Sequence, residues 1–210
     1  MNWVQVYSGV TIGSGAELGD FVVIGVPPRG AGEGEVPTRI GGDARIRSHT
    51  VIYAGNRIGD RFQTGHGAMV REYNEIGDDV SIGSGSIIEH HVKIGHRVRI
   101  HSMAFVPEFS VLEDDCWLGP HVVFTNTLFP LSPHAEKYMR GPTIRRGAKI
   151  GANATLLPGI VIGEESLIGA GSVVTHDVPP GRLFFGNPAK DVKAVTDLRY
   201  PEAQHVLAYD

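Results

Sequence analysis

Glu72, His90, Glu108 and Asn126 recur at every eighteenth position. A histidine beside carboxylates and an amide provides a proton acceptor, a group to orient it and a hydrogen-bond donor, the parts needed to move a proton in a group-transfer reaction. The four can act together only if the chain returns to the same place once in every such interval. Asn56 and Asn74 share that spacing.

The elements that would do this are written in a shorter period. Every sixth residue reads Ile12, Leu18 and Ile24, then Ile40 through Phe124, then Ile144 through Val174. Of these 24 anchors 23 are Ile, Leu, Val or Phe, types that make up only 59 of 210 residues, so the period is not a product of composition. Glycine follows the anchor in 13 cases, where it is expected to allow a bend, and the residue four past the anchor is usually small or branched. Alternation along a strand puts the anchor and its second neighbour on one face. Six residues then make one short strand and one corner, and three such units close a triangular coil of 18. Stacked coils lie about 4.8 Å apart, so positions 18 apart become neighbours and 24 hexads give about eight coils.

Breaks in the series, from Ile24 to Ile40 and from Phe124 to Ile144, expel loops at about 27–39 and 127–143, both rich in Pro and Gly. The second, which begins beside Asn126, is a candidate lid. The expected organisation is a β-helix domain over 1–190 with a C-terminal extension over 191–210. Ile plus Val number 40 against 11 Leu, which disfavours a helical bundle, and 20% charged residues at a net charge of −4 disfavour disorder. Neither sign of charge is clustered and no long apolar run occurs, so nucleic-acid binding and membrane spanning lose support. The single Cys116 and the absence of a basic, then apolar, leader pattern in residues 1–25 make the cytoplasm the expected location. Asn56 and Asn74 fall at inward positions, where a stacked pair joining two coils is the expected role.

The hexads over 12–179, followed by Gly-Asn-Pro-Ala-Lys at 186–190, resemble the hexapeptide-repeat acyltransferase superfamily. The stretches Glu89–Gly95, Val106–Glu108 and Val123–Asn126 are most similar to N-acetyltransferases of nucleotide-linked amino sugars, above all of dTDP-3-amino-3,6-dideoxyhexoses. The resemblance implies an all-β fold, a left-handed parallel β-helix. It also implies a homotrimer with active sites between subunits, and acetyl-CoA as co-substrate without a metal. It implies catalytic roles for His90, Glu108 and Asn126, and a groove for the pantetheine arm at Ala152, Ala170 and Pro188, which are again 18 apart. Lys190, with Arg182 nearby, would meet CoA phosphates.

The chain departs from two branches of that superfamily. In the bacillosamine and sialic-acid branch an acidic residue follows the catalytic histidine, whereas here His91 follows His90. In the galactoside and maltose branch a histidine follows the first threonine of the loop, whereas this loop reads Thr127-Leu128-Phe129-Pro130, with His134 further on. A sugar amine with a pKa of about 8, by analogy with α-amino groups, is partly neutral near neutral pH and needs less activation than a hydroxyl. Glu108 and Asn126 would hold it, and His90, Glu108 or the departing thiolate would take its proton. Alternatives are a sugar O-acetyltransferase, a γ-type carbonic anhydrase using His96 and His101, for which position 60 offers only Asp60, and a non-enzymatic scaffold.

Overall fold

In the computed structural model, which describes residues 3–209, the hexads build three parallel sheets that form the faces of one prism. The first face has nine strands, from Val4–Val6 to Val173–Val174. The second has eight, from Val10–Ile12 to Val161–Ile162. The third runs from Glu17–Leu18 to Leu167–Ile168 and is extended by Arg182–Gly186 and the antiparallel Ala189–Ala194 to ten strands. The chain visits the faces in rotation, so each strand pairs with the one three hexads away. Ile58, Ile76 and Ile94 lie in register at the expected interval. Most strands are two residues long, and such strands are stable only because coils above and below complete their ladders.

Across the first loop the register steps from Val10 to Thr38, and across the second from Val111 to Thr143, so both steps are longer than a coil. Each insertion leaves the prism and returns without disturbing the stack. The last coil is shorter than the rest. Ile162 is bridged to Val178 and Ile168 is paired with Phe184, each partner standing two positions earlier than a full coil would put it. It raises the count of eight to a ninth, incomplete coil. Its continuation is a pair of antiparallel strands, the second of which crosses the boundary expected at 190, and within the expected extension Arg199–Tyr200 with Ala203–Leu207 forms a separate small hairpin.

The anchors and the residues four beyond them fill the interior as one continuous cluster, with Ile24, Ile46, Ile52, Ile82, Ile88 and Ile100 fully buried. Each such side chain contributes roughly 1.5–3 kcal/mol of transfer free energy. Thr64, the one polar anchor, is buried with its hydroxyl 3.0 Å from that of Thr50 and accepts the Arg47 N–H at 3.0 Å. Asn56 and Asn74 are buried as expected, but they join coils through the backbone. Asn56 Oδ1 accepts the Asn74 N–H, and Asn74 Oδ1 accepts the Val92 N–H.

Glycine after an anchor has a different reason from the one expected. The left-handed residue of each corner is usually three past the anchor and is more often not glycine; Asp43, Arg61, Tyr73, Asp79, His91, Arg97 and Asp115 all have φ between 54° and 61°. The glycine next to the anchor is instead pressed against the following coil. A Cβ on Gly77 would stand 2.8 Å from the carbonyl carbon of Gly95. Among the described residues no helix is long and apolar enough to cross a membrane.

Candidate active site

On the first face the anchors Ile52, Val70, Ile88, Val106, Phe124, Leu156 and Val174 are each followed by a residue other than glycine. The corner that follows this face therefore has room for side chains, and the polar residues gather there. Asn126 Nδ2 donates to Glu108 Oε2 at 2.6 Å, and His90 Nε2 faces Glu108 Oε1 at 3.6 Å. The interval of one coil thus places His90, Glu108 and Asn126 on successive levels within reach of one another. Thr127 Oγ1 donates to Asn126 Oδ1 at 3.2 Å, and the Arg140 N–H donates to the Asn126 carbonyl at 2.8 Å. The 127–142 loop consequently leaves and returns at the same residue.

The lower end of this column is a charge cluster only partly foreseen. Arg71 donates to both oxygens of Glu72, at 2.9 and 3.0 Å, and to Glu89 at 3.2 Å, while its guanidinium lies 5.0 Å from the centre of the Tyr53 ring. Burial is the largest single influence on the Glu72 carboxyl and pushes it up, but the Arg71 hydrogen bonds, a backbone hydrogen bond and the positive charge of Arg71 together outweigh it and hold it below the usual carboxylate range. At Glu89 burial prevails, and Glu108 adds to the rise by like-charge repulsion. Glu72 therefore belongs to an ion-paired base beneath the site, while His90, Glu108 and Asn126 form its accessible part. Arg71, Glu89 and His91 were not among the expected site residues. The signal for them was present, since each neighbours a column residue at an anchor without glycine.

His91 Nδ1 lies 2.8 Å from His90 Nδ1, with the two rings at 86°. Its ring is flanked by Tyr73 at 5.2 Å and Phe109 at 5.8 Å, centre to centre, giving an aromatic edge one residue along from the polar column.

The expected groove is assembled only in part. Ala152 and Ala170 lie on adjacent coils, with the Gly171 N–H donating to the Ala152 carbonyl at 2.8 Å. Pro188 does not continue the column. Because the last coil is two positions short, position 186 stands at the level above Ala170, and Pro188 falls beyond it, in the turn between the final strands of that sheet. Lys190 is exposed in that hairpin, and Arg182 is bound to Asp191 at 2.7 Å rather than free. His134 is exposed in the second loop. Asp60 and His96 cap a different corner, where Asp60 Oδ1 accepts the Gly42 N–H and His96 Nδ1 accepts the Asp78 N–H. His101 packs against Trp117 at 4.8 Å, with Nε2 buried and without a hydrogen-bond partner. Burial pushes its pKa down.

Fold and repeat together define a parallel β-solenoid of hexapeptide units. Residues 75–108 and 141–176, about a third of the chain, match the model of the bacterial transferase hexapeptide family (six repeats). The chain is 32% identical to the galactoside O-acetyltransferase of Escherichia coli over 46% of this chain and 50% of that one. It is 51% identical to the dTDP-3-amino-3,6-dideoxy-alpha-D-galactopyranose 3-N-acetyltransferase of Aneurinibacillus thermoaerophilus over 22% of this chain and 24% of that one. The chain thus spans about half the length, or less, of these curated relatives. Among solved structures, the UDP-N-acetylglucosamine acyltransferase of Francisella novicida superposes on 92% of this chain and 70% of that one, with a TM-score of 0.63 at 18% identity, a likeness of fold.

Proposed function

We propose that the chain is an acetyl-CoA-dependent N-acetyltransferase that acetylates the amino group of a nucleotide-linked 3-amino-3,6-dideoxyhexose of the dTDP type. The observation that carries this reading is the convergence of His90 and Asn126 on the two oxygens of Glu108, at 3.6 and 2.6 Å. Each carboxylate oxygen then keeps a lone pair for a sugar ammonium or amine, and Asn126 is fixed by the base of the loop. An amine so held attacks the thioester with orientation as its main requirement. The relative from Aneurinibacillus thermoaerophilus supports the substrate class, and the galactoside relative keeps O-acetylation as the second reading.

Ala152 and Ala170 would pass the pantetheine arm along a wall of small residues. Pro188 and Lys190, set beyond it by the short last coil, would meet the other end of CoA. The outward row of the first face, including Val51, Met69, Ile87, Phe105 and Val123, borders the polar column, and the loop carries Leu128, Phe129, Leu131 and Tyr138 exposed. A second and a third copy of the chain, covering this row in a trimer, would close the site from water.

Single replacement of Glu108 and Asn126 by Ala, with acetyl-CoA and a dTDP-3-amino-3,6-dideoxyhexose, tests the reading. Losses of roughly 100-fold or more in kcat/KM are expected for Glu108→Ala, and near-wild-type rates in both variants would refute it. Stability of the product to hydroxylamine separates an amide from the ester that O-acetylation would give.

A further inference from the structure

His91 occupies the place where an acidic partner for His90 would be expected, and its geometry assigns it a definite task. This inference rests on the reading of the corner as an amino-sugar acetylation site and deepens it. Two imidazole nitrogens 2.8 Å apart share one proton when both rings are neutral, one donating and the other accepting. The far edge of the His90 ring decides between the two arrangements. There Nε2 faces Glu108 Oε1 at 3.6 Å, and a carboxylate only accepts. If His90 carried its proton on Nδ1, its Nε2 lone pair would point at that oxygen.

We propose that His91 donates its Nδ1–H to His90 Nδ1, fixing His90 as the Nε2–H tautomer aimed at Glu108, so that Glu108 and not His90 receives the proton of the attacking amine. His90 then has no free lone pair, since Nε2 is protonated and Nδ1 is already engaged. Glu108, with Asn126 donating to one oxygen and His90 Nε2 facing the other at 3.6 Å, retains a lone pair on both. The amine nitrogen bonds to the thioester carbonyl carbon, and the carbon–sulfur bond breaks with its electron pair on the CoA sulfur. The surplus N–H proton passes to Glu108 and then to that thiolate, giving an amide and the CoA thiol. His91 touches none of the reacting atoms and is a positioning residue. Tyr73 and Phe109 hold its ring in place, and the corner backbone, at φ 57°, sets its direction.

The tautomers can be read without substrate. In protein labelled with 15N in its histidine rings, held at about pH 8 where imidazoles are neutral, long-range 1H–15N correlations assigned with His90→Asn and His91→Asn variants should show His90 protonated on Nε2 and His91 on Nδ1. A proton on His90 Nδ1, or on Nε2 of both rings, overturns the proposal. Turnover gives a second measure. His91→Phe keeps a ring between Tyr73 and Phe109 but has no donor, and a fall in kcat of roughly 10- to 100-fold is expected. His91→Asn supplies an amide N–H and tolerates the left-handed backbone, and should stay within about threefold of wild type. Equal rates in the two variants, high or low, overturn the positioning role. If the unmodified chain acetylates no amino sugar, the proposed function fails while the ring spectra still decide the tautomer.

Discussion

Glu72 and Glu89 sit one coil apart on the same arginine, yet ionisation acts on them in opposite directions. The Glu72 carboxyl is held low by Arg71 against the effect of burial, so its ionised form stabilises the fold above the ordinary carboxylate range, and that contribution is lost as pH falls. Glu89 is raised by burial, so the folded chain binds its proton more tightly than the unfolded one, and stability falls as pH rises through its folded pKa. Glu72→Gln should therefore lower the unfolding free energy near pH 7, and Glu89→Gln should raise it. Urea melts near pH 7 and near pH 4 test both, with each difference from wild type shrinking at the lower pH. Cys116 is a simpler case. Burial pushes its thiol up to about 12, and Sγ–H donates to the Arg145 carbonyl at 3.2 Å. Disulfide reagents should label it only as the protein unfolds, and fast labelling of the native chain would contradict this packing.

At the scale of the coil, the glycines separate into two kinds that the period alone does not distinguish. Gly77 lies where any Cβ meets the backbone of the next coil, so Gly77→Ala should cost about 1–3 kcal/mol and lower the melting temperature by several degrees. Gly67 is left-handed at φ 64°, but a Cβ there meets nothing within 4 Å, and its column elsewhere holds His49, Met103 and His121. Gly67→Asn should change stability by no more than about 0.5 kcal/mol. The same distinction locates the site. A corner whose anchors are followed by Arg71, Glu89, Pro107 and Thr125 has released its coils from that tight contact, and the space carries the side chains of the proposed site.

For the whole molecule, the first face joins an apolar row to a polar edge. If this row is the contact between copies, the wild-type chain should sediment as three units of 22.6 kDa. Ile87→Glu, a charge placed in the middle of the row, should yield single chains that retain the coil's circular dichroism but lose turnover. An unchanged mass in the variant would move the contact elsewhere. The site at the corner would remain, but the surface that closes it would have to come from another face.

How much was legible from the chain depended on whether a feature is periodic. The period of six determined the strands, the interior anchors and both loops. The multiple of 18 determined that His90, Glu108 and Asn126 would stack, because in a solenoid the neighbours in space are set by arithmetic along the sequence. The tertiary structure alone decided what interrupts that arithmetic. Asp177-Val178-Pro179-Pro180-Gly181 takes two residues out of the last coil, which moves Pro188 off the level of Ala170, and no earlier hexad foretells that step. It also decided what lies beside the column. The contacts of Arg71 with Glu72 and Glu89, and of His91 with His90, depend on side-chain directions at the corner, and these are fixed by a left-handed backbone residue that the hexad pattern does not mark.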